Sequence, residues 1–438
     1  MNATDAADAR ERAPYGRRTA VVGAGVAGLT AAYILSRAGH VTLYEADDRL
    51  GGHAHTHELT SPHDGRVHRV DSGFIVHNRR TYPRLLRLFD ELGVATQESE
   101  MSMSVRCEGC GLEYAGARGP AGLFAQRRNL LRGRYLRMLA EVTVFHRKAR
   151  RLLARGGEEA LTLGEFLDRE GFSAYFRAHF ATPMVSAVWS CDAVTAQRYP
   201  AAYLFRFLEH HGMLSVSDSP VWRTVSGGSG QYVERIAKHI GEVRTGTPVR
   251  SVRRRADGVD ITAEDGTTDG TTESYDAVVI AVHPDQALRL LAEPTGRERE
   301  VLGAFRYSRN TTLLHTDTRL LPRAPGARAS WNHLLPSCTA DSGQVQVSYD
   351  MNRLQRLDTT ETFVVTLGGE ERVDPGRVLA RMVYEHPVYT PESVAAQQRL
   401  PELADDVCVF AGAYHGWGFH EDGCRSGVEA AAALGVRW

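Results

Sequence analysis

Net charge, disulfide-type cysteine patterns and internal repeats are all missing from this chain, and each absence removes a class of protein. The formal charge of the 438 residues is −1, so no global field draws the chain to nucleic acid, and no recognition motif for nucleic acid occurs along it. Six cysteines, Cys107, Cys110, Cys191, Cys338, Cys408 and Cys424, are scattered through a long chain without a secretory leader, which argues against a disulfide framework. A reducing cytoplasm is the expected compartment. One stretch, Thr19 to Ser36, lacks charge and follows Arg17 and Arg18, as a membrane span or a twin-arginine signal would. Three glycines at a mechanically meaningful spacing inside it, with no small-residue cleavage site after it, exclude both readings.

What is present is ordinary globular composition, 42% hydrophobic and 24% charged, in a chain longer than one hydrophobic core usually serves. Two substructures are expected, and residues 1–17 read as a mobile polar leader.

Ala20 to Val22 is a short apolar run, followed by Gly23-Ala24-Gly25-Val26-Ala27-Gly28, a helical pattern from Leu29 to Arg37, and a second apolar run, Val41 to Tyr44, that ends at Glu45. Strand, tight turn, helix and strand with a terminal acid make the context in which a Gly-x-Gly-x-x-Gly spacing binds a dinucleotide. Gly23 permits the turn, Gly25 lets the backbone approach a pyrophosphate, and Gly28 lets helix and strand pack closely, while free N–H groups at the helix start face the anion. Glu45 suits a ribose diol and repels a 2′-phosphate, so NADP is disfavoured. NAD is the competitor. Arg49-Leu50-Gly51-Gly52 after the ribose strand, and a second strand, glycine-rich loop and helix at the C-terminus (Val407 to Ala411, then a helix from about Gly423), are needed by a flavin dinucleotide and not by NAD.

Elsewhere the pattern predicts a helix over Arg79 to Leu92, a basic helical region over Arg127 to Arg155 with Glu141 as its sole acid, a helix capped by Thr162 and Glu165, and a helix-rich stretch from Asp192 to Gly212. Strands are predicted at Val249 to Val252, Val259 to Thr262, Ala277 to Val282, Thr311 to His315, Val345 to Tyr349 and Thr362 to Leu367, with a hairpin turn at Asp265-Gly266.

These motifs, together with VDSGFIVHNRRTYP (Val70 to Pro83), WRTVSGGSGQYV (Trp222 to Val233), DAVVIAVHP (Asp276 to Pro284), RYSRNTTLLHTD (Arg306 to Asp317), Ser330 to Asn332 and AGAYHGWGFHEDGCRSG (Ala411 to Gly427), make the chain resemble the flavin-containing amine oxidase and phytoene desaturase superfamily. Within it, the resemblance is to bacterial FAD-binding oxidoreductases associated with cyclopropane fatty acid synthases and fatty-acid modification. It implies an α/β fold: a Rossmann-like FAD domain built from residues 18–80, 226–290 and 401–438, interleaved with an α+β substrate domain of residues 81–225 and 291–400 whose helical part covers about 120–215.

It also implies non-covalent FAD, held by Gly23, Ala24, Gly25, Ala27, Gly28, Glu45, Ala46 and Arg49, with Gly51, Gly52 and His53 along the pyrophosphate and ribityl. Many relatives carry arginine in place of His53. Gly73 and Phe74 would follow the flavin ring, Val249 the adenine, Gly412 the phosphate, and Glu421, Asp422 and Gly423 would open a helix aimed at flavin N1 and O2. Reduced flavin is negative at those atoms, so helix N–H groups there favour reduction.

Amine oxidases of this superfamily generally keep a lysine bridged through water to flavin N5. This chain has two lysines, Lys148 and Lys238, and its matching segment reads Phe305-Arg306-Tyr307-Ser308-Arg309-Asn310. Hydride removal from a fatty-acyl or other apolar lipid-like chain is therefore the leading expectation, with redox-neutral double-bond isomerisation and amine oxidation as alternatives. A non-catalytic flavoprotein serving a lipid methyltransferase is the expectation from another class. Tyr414 and His420, with His415, are the candidate proton carriers, and the basic stretch 127–155 is a candidate for peripheral membrane contact. No metal is expected: Cys107-Glu108-Gly109-Cys110 lacks a second pair at zinc spacing and reads as a turn, and His53, His55 and His57 read as cofactor-side packing. Oligomeric state is not legible.

Overall fold

The computed structural model describes residues 16–62, 65–215, 219–264, 270–339 and 345–438; the leader and the Asp265-Gly266 turn therefore lie outside the described residues, apart from Gly16 and Arg17. Five strands build the first layer: β1 (Arg18–Val22), β2 (His40–Tyr44), β3 (Glu242–Arg244), β4 (Ala277–Ile280) and β5 (Cys408–Phe410), in the order β3-β2-β1-β4-β5 and all parallel. Strands from the start, middle and end of the chain thus share one sheet. β1, β2, β4 and β5 are buried almost throughout, as parallel strands covered on both faces must be.

Helix α1 (Val26–Leu35) has all ten residues buried. It starts three residues earlier than the apolar period suggests because Gly25, extended at φ −70° and ψ 177°, already caps it. Its other side meets α2 (His420–Ala433), where small residues permit near contact: a Cβ on Gly423 would sit 2.6 Å from Val26 Cγ1, and one on Gly427 would sit 2.4 Å from the Ala27 carbonyl oxygen. Like α1, α2 begins three residues before its expected start, because Asp422 accepts from the Phe419 N–H and closes the first turn.

The helix expected from Arg79 starts instead at Pro83 (Pro83–Leu92). The Asn78 side chain accepts from the N–H groups of Arg80 and Thr81, a local turn that competes with helix until proline, which needs no N–H partner, opens it.

A second layer is a seven-stranded sheet in the order Val378–Val388, Arg306–His315, Val364–Leu367, Val347–Asp350, Trp331–Leu335, Met103–Cys107, Glu113–Gly116. All its pairings are antiparallel except Trp331–Leu335 with Met103–Cys107. The basic stretch divides into a short 3₁₀ turn (Arg127–Leu131) and a long helix (Gly133–Arg155). That helix inserts Tyr135, Met138, Phe145, Ala149 and Leu152 into an aromatic core with Phe166, Phe172, Phe176 and Phe205. Fully burying residues of this size is worth about 1.5–3 kcal/mol each, which holds the helices on the sheet.

Candidate cofactor and active site

The three glycines of the first turn differ in what surrounds them. Gly23 has φ +98°, and a Cβ there would lie 2.7 Å from the Ala281 carbonyl oxygen. A Cβ on Gly28 would lie 1.9 Å from the Gly23 carbonyl oxygen, so α1 could not pack on β1 as it does. Gly25 has nothing within 4 Å of a Cβ position. It lies beyond the C-terminal end of β1, the edge at which open α/β folds bind ligands in a groove.

Gly51 and Gly52, at φ +108° and +56°, close that groove from the side: a Cβ on Gly52 would come 3.2 Å from Gly25 Cα, and the Gly51 N–H donates to the Ala24 carbonyl at 2.9 Å. Glu45 at the end of β2 accepts from the N–H of Ala24 at 2.7 Å and of Asp47 at 3.0 Å, which fixes its carboxylate beside the turn. Ala46 is exposed at the mouth and Ala27 is buried within α1. The residues before Val249 join the same corner through the Thr247 N–H to the Glu45 carbonyl, 2.9 Å, while Val249 itself begins the small outer sheet.

At the far end of the groove, Gly73 is pressed on the His53 carbonyl, where a Cβ would sit at 2.1 Å, and the Phe74 N–H donates to that carbonyl at 2.7 Å. The Phe74 ring stacks on His420 with centroids 3.7 Å apart, and His420 Nε2 lies 3.1 Å from the Tyr232 hydroxyl. Gly412 follows β5, with its N–H donating to Ser426 Oγ at 2.9 Å.

Two expected ligands turn their side chains elsewhere. Glu421 accepts from the N–H groups of Arg84 and Leu85, both at 2.9 Å, and so caps helix Pro83–Leu92. Asp422 is turned towards Phe419 and Gly416. Only their backbone N–H groups are left to face a ligand. Burial pushes Glu421 up to about 7 and Asp422 up to about 6.

The candidate proton carriers sit in dry surroundings. Burial holds His420 down to about 3 and His415 down to about 4, below the near-neutral range a proton shuttle requires. Tyr414 is fully buried against Phe305, its phenol pushed up by burial, and its hydroxyl and His415 Nε2 have no partner among the described residues.

Sequence reasoning missed the wall opposite the groove. Tyr384 and His386, on strand Val378–Val388, face His53 at 5.0 and 5.3 Å between ring centroids. The Tyr384 hydroxyl meets Ser72 Oγ at 2.7 Å and His55 Nδ1 at 3.1 Å, and Asn310 Nδ2 lies 3.0 Å from His386 Nδ1. The His55 and His57 rings pack at a tilt with centroids 4.0 Å apart, and His57 bonds Ser72. Burial drives His53 well below its ordinary value, assisted by His386 and His283, and holds His386 down to about 4. These imidazoles are neutral at pH 7. Strand Val378–Val388 carries no clean alternation, so only the shape of the adjacent Arg306–His315 could have suggested its partner. Asp71 was missed too: buried, it accepts from Thr56 Oγ1, the Ser229 N–H and hydroxyl, and Gln355 Nε2, and so ties three segments under the groove.

A parallel sheet with two helix N-termini and two glycine-bearing turns at one edge, beside a second, mostly antiparallel sheet, has the architecture of a dinucleotide-binding fold. The family of flavin-containing amine oxidoreductases matches residues 26–374, and the chain belongs to it. Among curated relatives, a carotenoid φ-ring synthase of Streptomyces griseus is 31% identical over 296 residues, 62% of this chain and 53% of the relative. (S)-6-hydroxynicotine oxidase of Paenarthrobacter nicotinovorans is 26% identical over 256 residues, 56% of each. The chain thus spans about half the length of these relatives. Solved structures share the fold at lower identity. A fatty acid isomerase from P. acnes and putrescine oxidase with bound putrescine are each 18% identical, with TM-scores of 0.69 and 0.67, over 96% of this chain and 99% of theirs.

The residues fit FAD. Gly25 leaves an open approach that a Cβ would fill, Gly52 lies against it, and α1 and α2 bring two N-termini to one edge, where a diphosphate is stabilised.

Proposed function

We propose that this oxidoreductase removes hydride from, or shifts a double bond within, a neutral apolar chain such as a fatty-acyl or other lipid-like substrate, with FAD held non-covalently. The observation that carries the reading is the uncharged wall beside the groove. Tyr384 with neutral His53 and His386 forms it, and the aromatic cluster in which Phe207 stacks on Phe419 and meets Trp417 edge-on is proposed to extend it. The two lysines lie elsewhere: Lys148 pairs with Glu170 at 2.9 Å, and Lys238 is exposed at the end of helix Gly230–Ala237. In the segment that the family resemblance aligns with the lysine-bearing strand, Asn310 pairs with His386. Such a wall binds a neutral chain without the cost of burying an unpaired ammonium. The name of the carotenoid φ-ring synthase points to an apolar polyene, and that of the P. acnes neighbour to a fatty acid.

Bound FAD supplies a two-electron hydride acceptor. The protein's part is to exclude water with the aromatic stack, to hold Phe74 and His420 as one stacked wall, and to direct the backbone N–H groups of the first turn of α2 towards developing negative charge. Tyr414 and His420 are proposed to carry the proton lost alongside the hydride, despite the lowered basicity of His420; full turnover in Tyr414→Phe and His420→Phe would remove both.

Peripheral membrane contact is proposed for the basic stretch 127–155, at whose start Leu131 is 91% and Leu130 53% exposed beside Arg127 and Arg128. Further along, Arg147, Arg150 and Arg151 line an open groove with His146 and Leu214. No helix among the described residues is long and apolar enough to cross a membrane. Unchanged liposome association after changing Arg147, Arg150 and Arg151 to Glu would remove the idea.

Anaerobic mixing of the flavoprotein with lipid extracts and with primary amines tests the main proposal. Bleaching of the flavin band, or an isomerised product, with acyl chains and not with amines is expected. Bleaching by amines alone overturns it, and inertness towards every acyl substrate favours a non-catalytic partner of a lipid methyltransferase.

A further inference from the structure

The seven-stranded sheet has its Tyr384 edge against the groove, and near the opposite edge it gathers a second cluster of reactive side chains. Cys107 ends strand Met103–Cys107, and Cys110 closes the turn that follows. Cys338, 231 positions beyond Cys107, lies in the loop after strand Trp331–Leu335. His179 comes from a π-helical turn, Arg177–Ala181, in the helical part. One ligand atom from each of the four lies within 4.8 Å of every other. The turn expected at Cys107 to Cys110 is present; the second pair that the local spacing lacked comes from two distant segments.

We propose that Cys107, Cys110, Cys338 and His179 form a structural zinc site that fastens the helical part to the sheet. A tetrahedral ion with Zn–S bonds of about 2.3 Å and a Zn–N bond of about 2.0–2.1 Å requires S–S edges of about 3.8 Å and S–N edges of about 3.6 Å. Cys107 Sγ and Cys338 Sγ are 3.7 Å apart, and Cys110 Sγ and His179 Nε2 are 3.6 Å apart. A disulfide needs sulfurs about 2.0 Å apart.

The histidine is set for ligation through Nε2. Its Nδ1 lies 3.1 Å from the Tyr175 carbonyl oxygen, which can only accept, so the proton sits on Nδ1 and the Nε2 lone pair faces Cys110. A carbonyl behind a metal-bound imidazole is the usual outer partner of such a ligand. The Tyr175 ring stacks on His179 at 4.0 Å and fixes its plane. The π-helical turn winds an extra residue into the helix at this point, a departure from regular bonding that is found mostly at functional sites.

The backbone is shaped for the same approach. A Cβ on Gly109 would fall 2.9 Å from the Cys338 nitrogen and 3.1 Å from Ser337 Cα, so glycine there lets the two cysteine-bearing loops meet. Three thiolates and one divalent ion leave a net negative charge, and arginines stand beside it. Arg132 donates to the Cys110 carbonyl at 3.3 Å while its other terminal nitrogen, Nη1, is buried without a partner among the described residues. The Arg134 guanidinium lies 5.1 Å over the Tyr175 ring. With four protein ligands the site is coordinatively closed, which suits a structural ion rather than a catalytic one.

The test uses the full-length flavoprotein purified with reductant and without chelator. Elemental analysis is expected to find one zinc per chain, released by a mercurial thiol reagent. His179→Ala and Cys338→Ser are expected to lose it, whereas Cys191→Ser and Cys424→Ser keep it. Should the first two variants fail to fold, cobalt exchanged into the wild type decides: intense tetrahedral d–d bands with a thiolate-to-cobalt charge-transfer band are expected. Absence of stoichiometric zinc with a weak octahedral cobalt spectrum, zinc retained by both ligand variants, or a Cys107–Cys338 disulfide in peptide maps of the reduced preparation would each overturn the proposal. Flavin content, read in parallel, is independent of the result.

Discussion

Exchanging Gly25 and Gly28 separately for alanine distinguishes cofactor contact from packing, because the two positions differ in space and not in chemistry. A methyl on Gly28 would sit 1.9 Å from a backbone oxygen of Gly23 and 3.1 Å from Ala281 Cβ. Relief requires α1 to move away from β1 by about 1 Å or more, and overpacking of that kind costs roughly 1–3 kcal/mol or more. Replacing a helical glycine by alanine returns at most about 1 kcal/mol, and Gly28 lies in the first turn of α1, so a net loss of stability remains in the apoprotein. Gly25 is extended at φ −70° and has nothing within 4 Å of a Cβ. Alanine there changes apoprotein stability by no more than about 0.5 kcal/mol, as for a substitution free of steric contact.

With FAD the order reverses. A methyl on Gly25 occupies the approach to the α1 N-terminus, and loss of one charge-assisted hydrogen bond costs about 1.5–3 kcal/mol, or roughly a ten- to hundredfold rise in Kd. Thermal denaturation of the apoproteins and quenching of flavin fluorescence on titration supply the two readouts. A Gly25→Ala protein that binds FAD like wild type would refute the reasoning, since the open side of the turn would then face no phosphate.

Further outcomes follow from buried titrating groups and from the groove wall. His77, His211, His333, His386 and His415 are each held down to about 4 by burial. In the unfolded chain they protonate near their ordinary values, so their contribution is present above about pH 6.5 and is lost as pH falls towards 4; melting temperature should drop steeply across that window. Glu421, raised to about 7, has the opposite sign: its stabilisation is complete below its ordinary range and is lost as pH rises from about 4.5 to 7, and Glu421→Gln should remove that component from the melting profile. Asp71→Asn turns one acceptor oxygen into a donor facing Ser229 and Gln355, and should cost about 2–4 kcal/mol in denaturant unfolding through charge-assisted hydrogen bonds replaced by donor–donor contacts. Replacing His386 by Lys should place a cation opposite His53 and weaken binding of neutral acyl chains at least tenfold in flavin-perturbation titrations, because the charge must be buried without a partner.

The dinucleotide half was legible because its chemistry is local. Gly23, Gly25, Gly28 and Glu45 occupy one strand-turn-helix-strand unit, where sterics fix Gly23 and Gly28, an open approach suits Gly25, and hydrogen bonds hold Glu45. Helix starts were less legible: α2 opens at His420 rather than near Gly423 because a side chain, Asp422, reaches back to cap it, and Asn78 delays the helix at Pro83. Glu421 was read as a cofactor residue from its place in a motif, yet its carboxylate serves another helix. Non-local assembly hid the rest. Strand Val378–Val388 supplies Tyr384 and His386 without alternation to announce it, and the pairing of Met103–Cys107 with Trp331–Leu335, which carries Cys338 towards Cys107, joins segments that share no pattern.

Equilibrium titration of the apoprotein with FAD tests the central claim most directly. Saturation at one FAD per chain, with quenched flavin fluorescence and a raised melting temperature, is the predicted result. Fluorescence that stays that of free flavin, with no shift in melting, would contradict it.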